Sequence, residues 1–226
     1  MLLAEELALV ALKPESGRHQ IGTGDALNAC LAGLLVAELL LEGWIGPGDR
    51  DDRLVVVPGR ATPDSPALAA AMDVVAQKGP KMKGVLSHMS RGLEQQIGMS
   101  TQDAVFSGLA GAGIVTASTG GLLPKRPVLD RAAWDRVVDR LRAAAQGDGP
   151  LDPRTALVLS MTGPAHLLEV VAPERRGRRH ARNRIDHALD GSELAPVGKI
   201  VRRLIQEAME VAGASAAIGG ATVAGS

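Results

Sequence analysis

Apolar positions crowd into one stretch, Gly24 to Ile45, GDALNACLAGLLVAELLLEGWI. Thr23 or Asp25 can accept from the free N–H groups of a first helical turn. Leu27, Leu31, Leu34, Leu35, Ala37, Leu39, Leu40 and Leu41 follow, with Glu38 and Glu42 the sole charges after Asp25. Gly43 stands where a left-handed glycine stops a helix. The pattern predicts a helix of about 18 residues and about 27 Å. Its apolar residues wrap more than one face, so the helix is expected to be buried on most sides. A membrane span is the competing reading, and it needs roughly 20 apolar residues without a central charge. Glu38 lies inside the run and no Lys or Arg flanks it, which favours a core helix.

The remaining pattern is a series of short elements. Leu2 to Leu12 reads as a short helix with Glu5 and Glu6 on its polar side, followed by turn residues from Lys13 to Gly17. After Gly43 come Trp44-Ile45, a turn over Gly46 to Asp49, and the strand-like Arg53 to Val57. Helix, glycine, strand, turn and strand give the outline of a winged-helix wing. Pro58 to Pro66 is a loop. Helices are predicted over Ala67 to Gln77, capped near Ser65 or Asp64, and over Val85 to Gln96, with Gly98 as its stop. Ser100-Thr101-Gln102-Asp103 opens another helix with capping-box chemistry. Leu109 to Val115 then echoes Leu39 to Ile45, and Gly120-Gly121 signals a second hairpin turn. Asp130 to Ala145 is amphipathic, with Trp134, Val137, Val138 and Leu141 inward. Beyond the linker from Gln146 to Pro153, Thr155 to Val171 reads as a buried helix interrupted at Gly163-Pro164. Ile185 to Leu189 and Leu194 to Val211 continue the helical pattern. The expectation is a mainly α, single helical domain over residues 1–211, with small β-hairpins and a flexible Gly/Ala-rich tail from Ala212 to Ser226.

Composition narrows the function. With 226 residues and 46% hydrophobic content, the chain can build a sizeable core. Its 25 basic and 25 acidic residues cancel, which argues against a general DNA or RNA binder. Trp44, Trp134 and Phe106 are too few aromatics for a base-stacking platform, so no nucleic-acid partner is expected. The lone Cys30 excludes an intrachain disulfide, suits a reducing compartment, and reads as a small buried hydrophobe. MLLAEELALVAL lacks a basic n-region, so a secretion signal is not expected and the protein is placed in the cytoplasm.

Candidate chemistry is sparse. Gly22-x-Gly24 and Gly111-x-Gly113 lack the rest of any phosphate-loop motif and read as helix ends. His19, His88, His166, His180 and His187 show no metal-ligand spacing; His180 and His187 share a face among arginines, which repel a cation. No nucleophile elbow is present and no carboxylate pair stands out, so neither catalysis nor a cofactor is expected. The strongest charge feature is PERRGRRHARNR, Pro173 to Arg184, with Arg175, Arg176, Arg178 and Arg179 as a candidate anion surface. In the second hairpin, Leu122 and Leu123 precede Lys125 and Arg126, a combination that suits a membrane surface. The bland alternatives are a solvated surface and leucines packed on their own domain.

Leu7 to Leu12, the Gly33…Glu38-Leu39…Gly43 pattern, the Leu109…Gly113-Ile114-Val115 segment with its hairpin, and the late helices to Val211 together resemble the GPP34 family, the Golgi phosphoprotein 3 fold, in a bacterial, actinobacterial-looking branch. The likeness rests on the order of elements over nearly the whole chain. It implies a non-enzymatic peripheral membrane protein that binds phosphatidylinositol 4-phosphate, with the 114–129 hairpin used for self-association and membrane insertion. The family's lipid pocket uses one Trp and three Arg. In an ungapped comparison those positions fall at Thr23, at Ala32, and near Met99 and Gln102, so none is kept. An anionic phospholipid surface is therefore the expected partner, with Leu122, Leu123, Lys125, Arg126 and the arginine run as the contacts. A protein-interaction or winged-helix regulatory module is the alternative.

Overall fold

The computed structural model describes residues 1–20, 24–50, 52–78, 81–118, 125–190, 203, 206–208 and 210. The apolar stretch forms α2, Gly24–Leu41, of 18 residues. Leu27, Leu31, Leu34, Leu35 and Leu39 have no exposed surface, so the protein itself encloses this helix. Among the described residues no helix is long and apolar enough to cross a membrane. Thr23, beside its first turn, lies outside the described residues.

The N-terminal pattern forms α1, Leu3–Val10, packed against α2. Its polar side differs from the expected one. Glu6 is buried and pairs with Arg140, while the Glu5 carboxylate accepts from the Leu2 N–H at 2.8 Å. The reason lies in α2. A helix start leaves N–H groups without intrahelical partners, and α1 begins against the interior. Glu38, 3% exposed, meets that need: its Oε2 accepts from the Leu3 N–H at 2.7 Å, and Arg154 reaches its Oε1 at 2.7 Å. Burial opposes the Arg154 charge, yet its hydrogen bond to Glu38 and the nearby Glu38, Glu6 and Glu42 carboxylates hold it above its ordinary pKa. The one charge inside the apolar run is thus the acceptor for the start of the neighbouring α1.

α2 ends in a Schellman turn. The Gly43 N–H reaches Leu40 O at 3.1 Å and the Trp44 N–H reaches Leu39 O at 2.9 Å, with Gly43 at φ +70°. The chain then enters β1, Ile45–Pro47, antiparallel to β2, Leu54–Val56, with Ile45 opposite Val56. α3, Pro66–Lys78, follows, its start capped by Ser65. The single helix expected over Val85 to Gln96 is two, α4, Met82–Arg91, and α5, Glu94–Ile97. Gly92, at φ +137°, breaks it; Gly98 ends α5 as expected.

α6, Thr101–Gly111, starts at Ser100, whose Oγ accepts from the Asp103 N–H at 3.0 Å. It ends in the same turn as α2: the Gly113 N–H reaches Ala110 O at 2.9 Å, and the Ile114 N–H reaches Leu109 O at 2.9 Å. The sequence echo is therefore a repeated helix stop. The second hairpin is slighter than the first. Its described part is a bridge between Val115 and Val128, with Thr116 N–H on Pro127 O and Leu129 N–H on Ile114 O. Its turn, including Gly120, Gly121, Leu122 and Leu123, lies outside the described residues.

α7, Arg131–Gln146, buries Trp134, Val137, Val138 and Leu141. α8, Pro153–Thr162, is capped by Asp152; Gly163 stops it, and α9, Leu168–Val171, follows. The arginine run belongs to α10, Arg175–Asp190, and the helical stretch from Ile185 is its continuation. Helices α1, α3, α4, α6 and α8 all pack against α2, in one hydrophobic core. The predicted helix to Val211 is described at residues 203, 206–208 and 210, which are helical; the tail after 211 lies outside the described residues.

Candidate anion-binding face

One side of α10 is fixed to the body. Ala181, Ile185 and Ala188 are buried. Arg184 donates from Nε to Ala144 O at 2.8 Å and from Nη2 to Gly149 O at 2.7 Å, and His180 Nε2 lies 3.2 Å from Gly147 O. The Arg184 bond to Ala144 O, in the last turn of α7, also meets the negative end of that helix. Arg178 is half-buried, donating to Pro173 O and lying 3.6 Å from Glu169.

The other side is exposed. Arg175, Arg179 and Arg182, at i, i+4 and i+7, project from one face, with Arg176 beside them. Among the described residues no carboxylate pairs with these four. They span about 10 Å along the axis. With Arg178 they line a shallow concavity of about 790 Å³. Four guanidinium groups without carboxylate partners among the described residues, two of them (Arg175 and Arg176) in the first turn of the helix, repel one another, and a bound anion relieves that repulsion. Of the predicted anion surface, Arg175, Arg176 and Arg179 have no carboxylate partner among the described residues, Arg178 serves the fold, and Arg182 joins the set.

The second hairpin is arranged differently from its expected form. Lys125 is exposed, but Arg126 is only 4% exposed and is no surface cation. Its guanidinium pairs with Asp103 and lies 4.5 Å from the centre of the Phe106 ring. A cavity of about 460 Å³ opens beside it, lined by Met99, Ser100, Asp103, Phe106 and Ser107. Of the positions compared with the family's lipid pocket, Thr23 lies outside the described residues and Ala32 is fully buried in the core. Met99 is 42% exposed at the cavity rim, and Gln102 is half-buried. No guanidinium could occupy the place of Ala32 in this packing.

His180 and His187 do share a face, lining a cavity of about 400 Å³ with Asp148 and Arg184. Among the described residues no group of three or more His, Cys, Asp or Glu side chains could hold a metal ion. Cys30 is fully buried, and burial pushes its thiol up to about 12, where it is inert at neutral pH. The pairings of Glu38 with Arg154, Glu6 with Arg140 and Asp103 with Arg126 are absent from the sequence reading. Only Glu38, a lone carboxylate in an apolar run, carries a signal for them.

Fold and surface define a mainly α protein whose helices enclose one apolar rod and present a cationic face on α10. The family model for Golgi phosphoprotein 3 (GPP34) matches residues 3–208. The chain belongs to that family. No curated relative matches it.

Proposed function

We propose that the protein is a non-enzymatic, cytoplasmic, peripheral membrane protein that docks on anionic phospholipid. The observation that carries this reading is the set of four exposed arginines, Arg175, Arg176, Arg179 and Arg182, without carboxylate partners among the described residues. Basic side chains held at an anionic bilayer each contribute about 1 kcal/mol within a Debye length of its surface. The stripe carries no large apolar residue, so contact there is with headgroups. Leu122, Leu123 and Lys125 are the proposed second contact, and the 114–129 hairpin the proposed site of self-association. Family membership favours phosphatidylinositol 4-phosphate as a ligand. The replaced pocket positions favour a broader preference for anionic lipid, as expected of the bacterial branch the sequence resembles.

Vesicle flotation at low salt tests the proposal. The panel is phosphatidylcholine alone, phosphatidylcholine with phosphatidylserine, and phosphatidylcholine with phosphatidylinositol 4-phosphate. The expected result is binding to both anionic vesicles and not to the neutral one, lost on changing Arg175, Arg176, Arg179 and Arg182 to Ala. Replacing Leu122 and Leu123 together, or Lys125→Ala, is expected to weaken it further. Absence of wild-type flotation at low salt overturns the proposal. The twice-used helix stop before an antiparallel pair supports the alternative, a winged-helix-like interaction module; a gel shift at low salt with no vesicle binding would favour it.

A further inference from the structure

The loop after α1 and the second hairpin meet over α6. The 13–19 loop is closed by a bridge between Leu12 and His19 and by the Lys13 N–H on Arg18 O at 2.8 Å. It touches the hairpin in three ways. The Arg126 N–H donates to Gly17 O at 2.8 Å. Gly17, at φ +63°, comes so close that a Cβ there would lie 2.3 Å from Pro127 N. The Phe106 ring is flanked by both segments, with the His19 ring 5.6 Å and the Arg126 guanidinium 4.5 Å from its centre.

This junction holds one cation and leaves no place for a second. Arg126 is buried and takes one oxygen of Asp103; the other accepts from the Ser100 hydroxyl at 2.7 Å. His19 Nε2 is buried without a hydrogen-bond partner. Among the described residues, Arg126 and Asp103 are the charged groups whose fields act on His19, Arg126 opposing its protonation and Asp103 favouring it. A proton added to Nε2 would sit without an acceptor, beside a buried guanidinium whose carboxylate is already engaged.

We propose that His19 is the trigger of a pH-sensitive latch, whose protonation frees the 125–128 segment from the 13–19 loop. Closed, the latch holds His19 neutral: burial, and then Arg126, depress its pKa below the ordinary 6.5. Open, the ring is solvated and takes up a proton. The closed form is thus fully favoured above pH 6.5 and loses ground as pH falls toward the depressed value. The latch changes how the hairpin is held, and it shares no residue with the arginine face of α10.

Hydrogen exchange tests it, corrected for the intrinsic pH dependence of exchange and followed from about pH 7.5 to about pH 5.5. The Arg126 amide crosses the latch, whereas the Thr116 and Leu129 amides lie within the hairpin and serve as references. Protection of Arg126 relative to these is expected to fall by up to about tenfold per pH unit below the ordinary histidine range, the limit for one proton. His19→Gln should abolish that fall. Gly17→Ala should expose the Arg126 amide at every pH. The His19 ring resonances in the wild type should titrate below the ordinary 6.5, toward the pH at which the fall in Arg126 protection levels off, a measurement that needs no variant. Wild-type protection independent of pH, or the same fall in His19→Gln, overturns the proposal.

Discussion

Replacing Glu38 by Ala isolates the contact that fixes α1 on α2. Ala is a better helix former than Glu, so α2 loses nothing intrinsically. What is lost is a buried carboxylate, 3% exposed, hydrogen-bonded at 2.7 Å to the Leu3 N–H and at 2.7 Å to Arg154. A hydrogen bond to a charged group contributes about 1.5–3 kcal/mol, and a backbone N–H left buried without a partner costs about 1–3 kcal/mol. Arg154 is 38% exposed and keeps Glu42 at 3.8 Å, so its share is screened and comes to about 1 kcal/mol or less. These overlap, and the expected destabilisation is about 3 kcal/mol. Glu38→Gln keeps an acceptor for Leu3 and should cost about half as much. In urea, with a slope of about 3 kcal/mol per molar, Glu38→Ala should move the midpoint by about 1 M. A double-mutant cycle with Arg154→Met should show coupling of at least about 0.5 kcal/mol. A cost below about 1 kcal/mol for Glu38→Ala, or equal costs for Ala and Gln, would refute the capping role.

Changing Arg175, Arg176, Arg179 and Arg182 together to Ala should reduce partition onto phosphatidylserine vesicles by about a thousandfold, at about 1 kcal/mol for each; raising salt on the wild type should reproduce the direction in flotation. Glu5→Gln should gain stability over the wild type as pH rises. Burial lifts the Glu5 pKa above its ordinary 4.5 against the Leu2 N–H and the N-terminal charge, so between the two values the native state holds a proton that the unfolded chain has released. Wild-type stability falls through that window and Gln removes the fall; urea midpoints of both proteins on either side of it are the check. Gly43→Ala and Gly113→Ala should each cost about 1 kcal/mol in the same assay, because φ +70° and φ +71° place a Cβ in the left-handed region.

Some of this is legible from residue types alone. Gly43 and Gly113 announce helix stops because only glycine takes that backbone freely, and Ser100 and Asp130 announce helix starts because their side chains accept from N–H groups two or three residues on. The periodicity of Asp130 to Ala145 gives the inner face of α7 directly. Gly92 escapes notice beside Gly98, since apolar spacing runs through it and only its backbone, at φ +137°, reveals the break. The site is harder to read. Arg126 looks like a surface cation beside Lys125 because local sequence does not show Asp103 and Phe106 converging on it from α6. Arg178 looks equivalent to its neighbours because the Pro173 carbonyl that claims it is set by the turn into α10. Partners distant in the chain decide whether a charge is structural or free, and periodicity does not encode them.

The burial of α1 bears on how the chain is made. Leu3, Leu7 and Leu9 have no exposed surface, yet α6, α7 and α8, which cover α1 together with α2, are translated long after it. At about 5–20 residues per second, the first greasy turns wait on the order of ten seconds for their last neighbours to leave the ribosome. A nascent chain cut short before Thr162 therefore carries an uncovered leucine ridge at its front, a target for chaperones and for degradation.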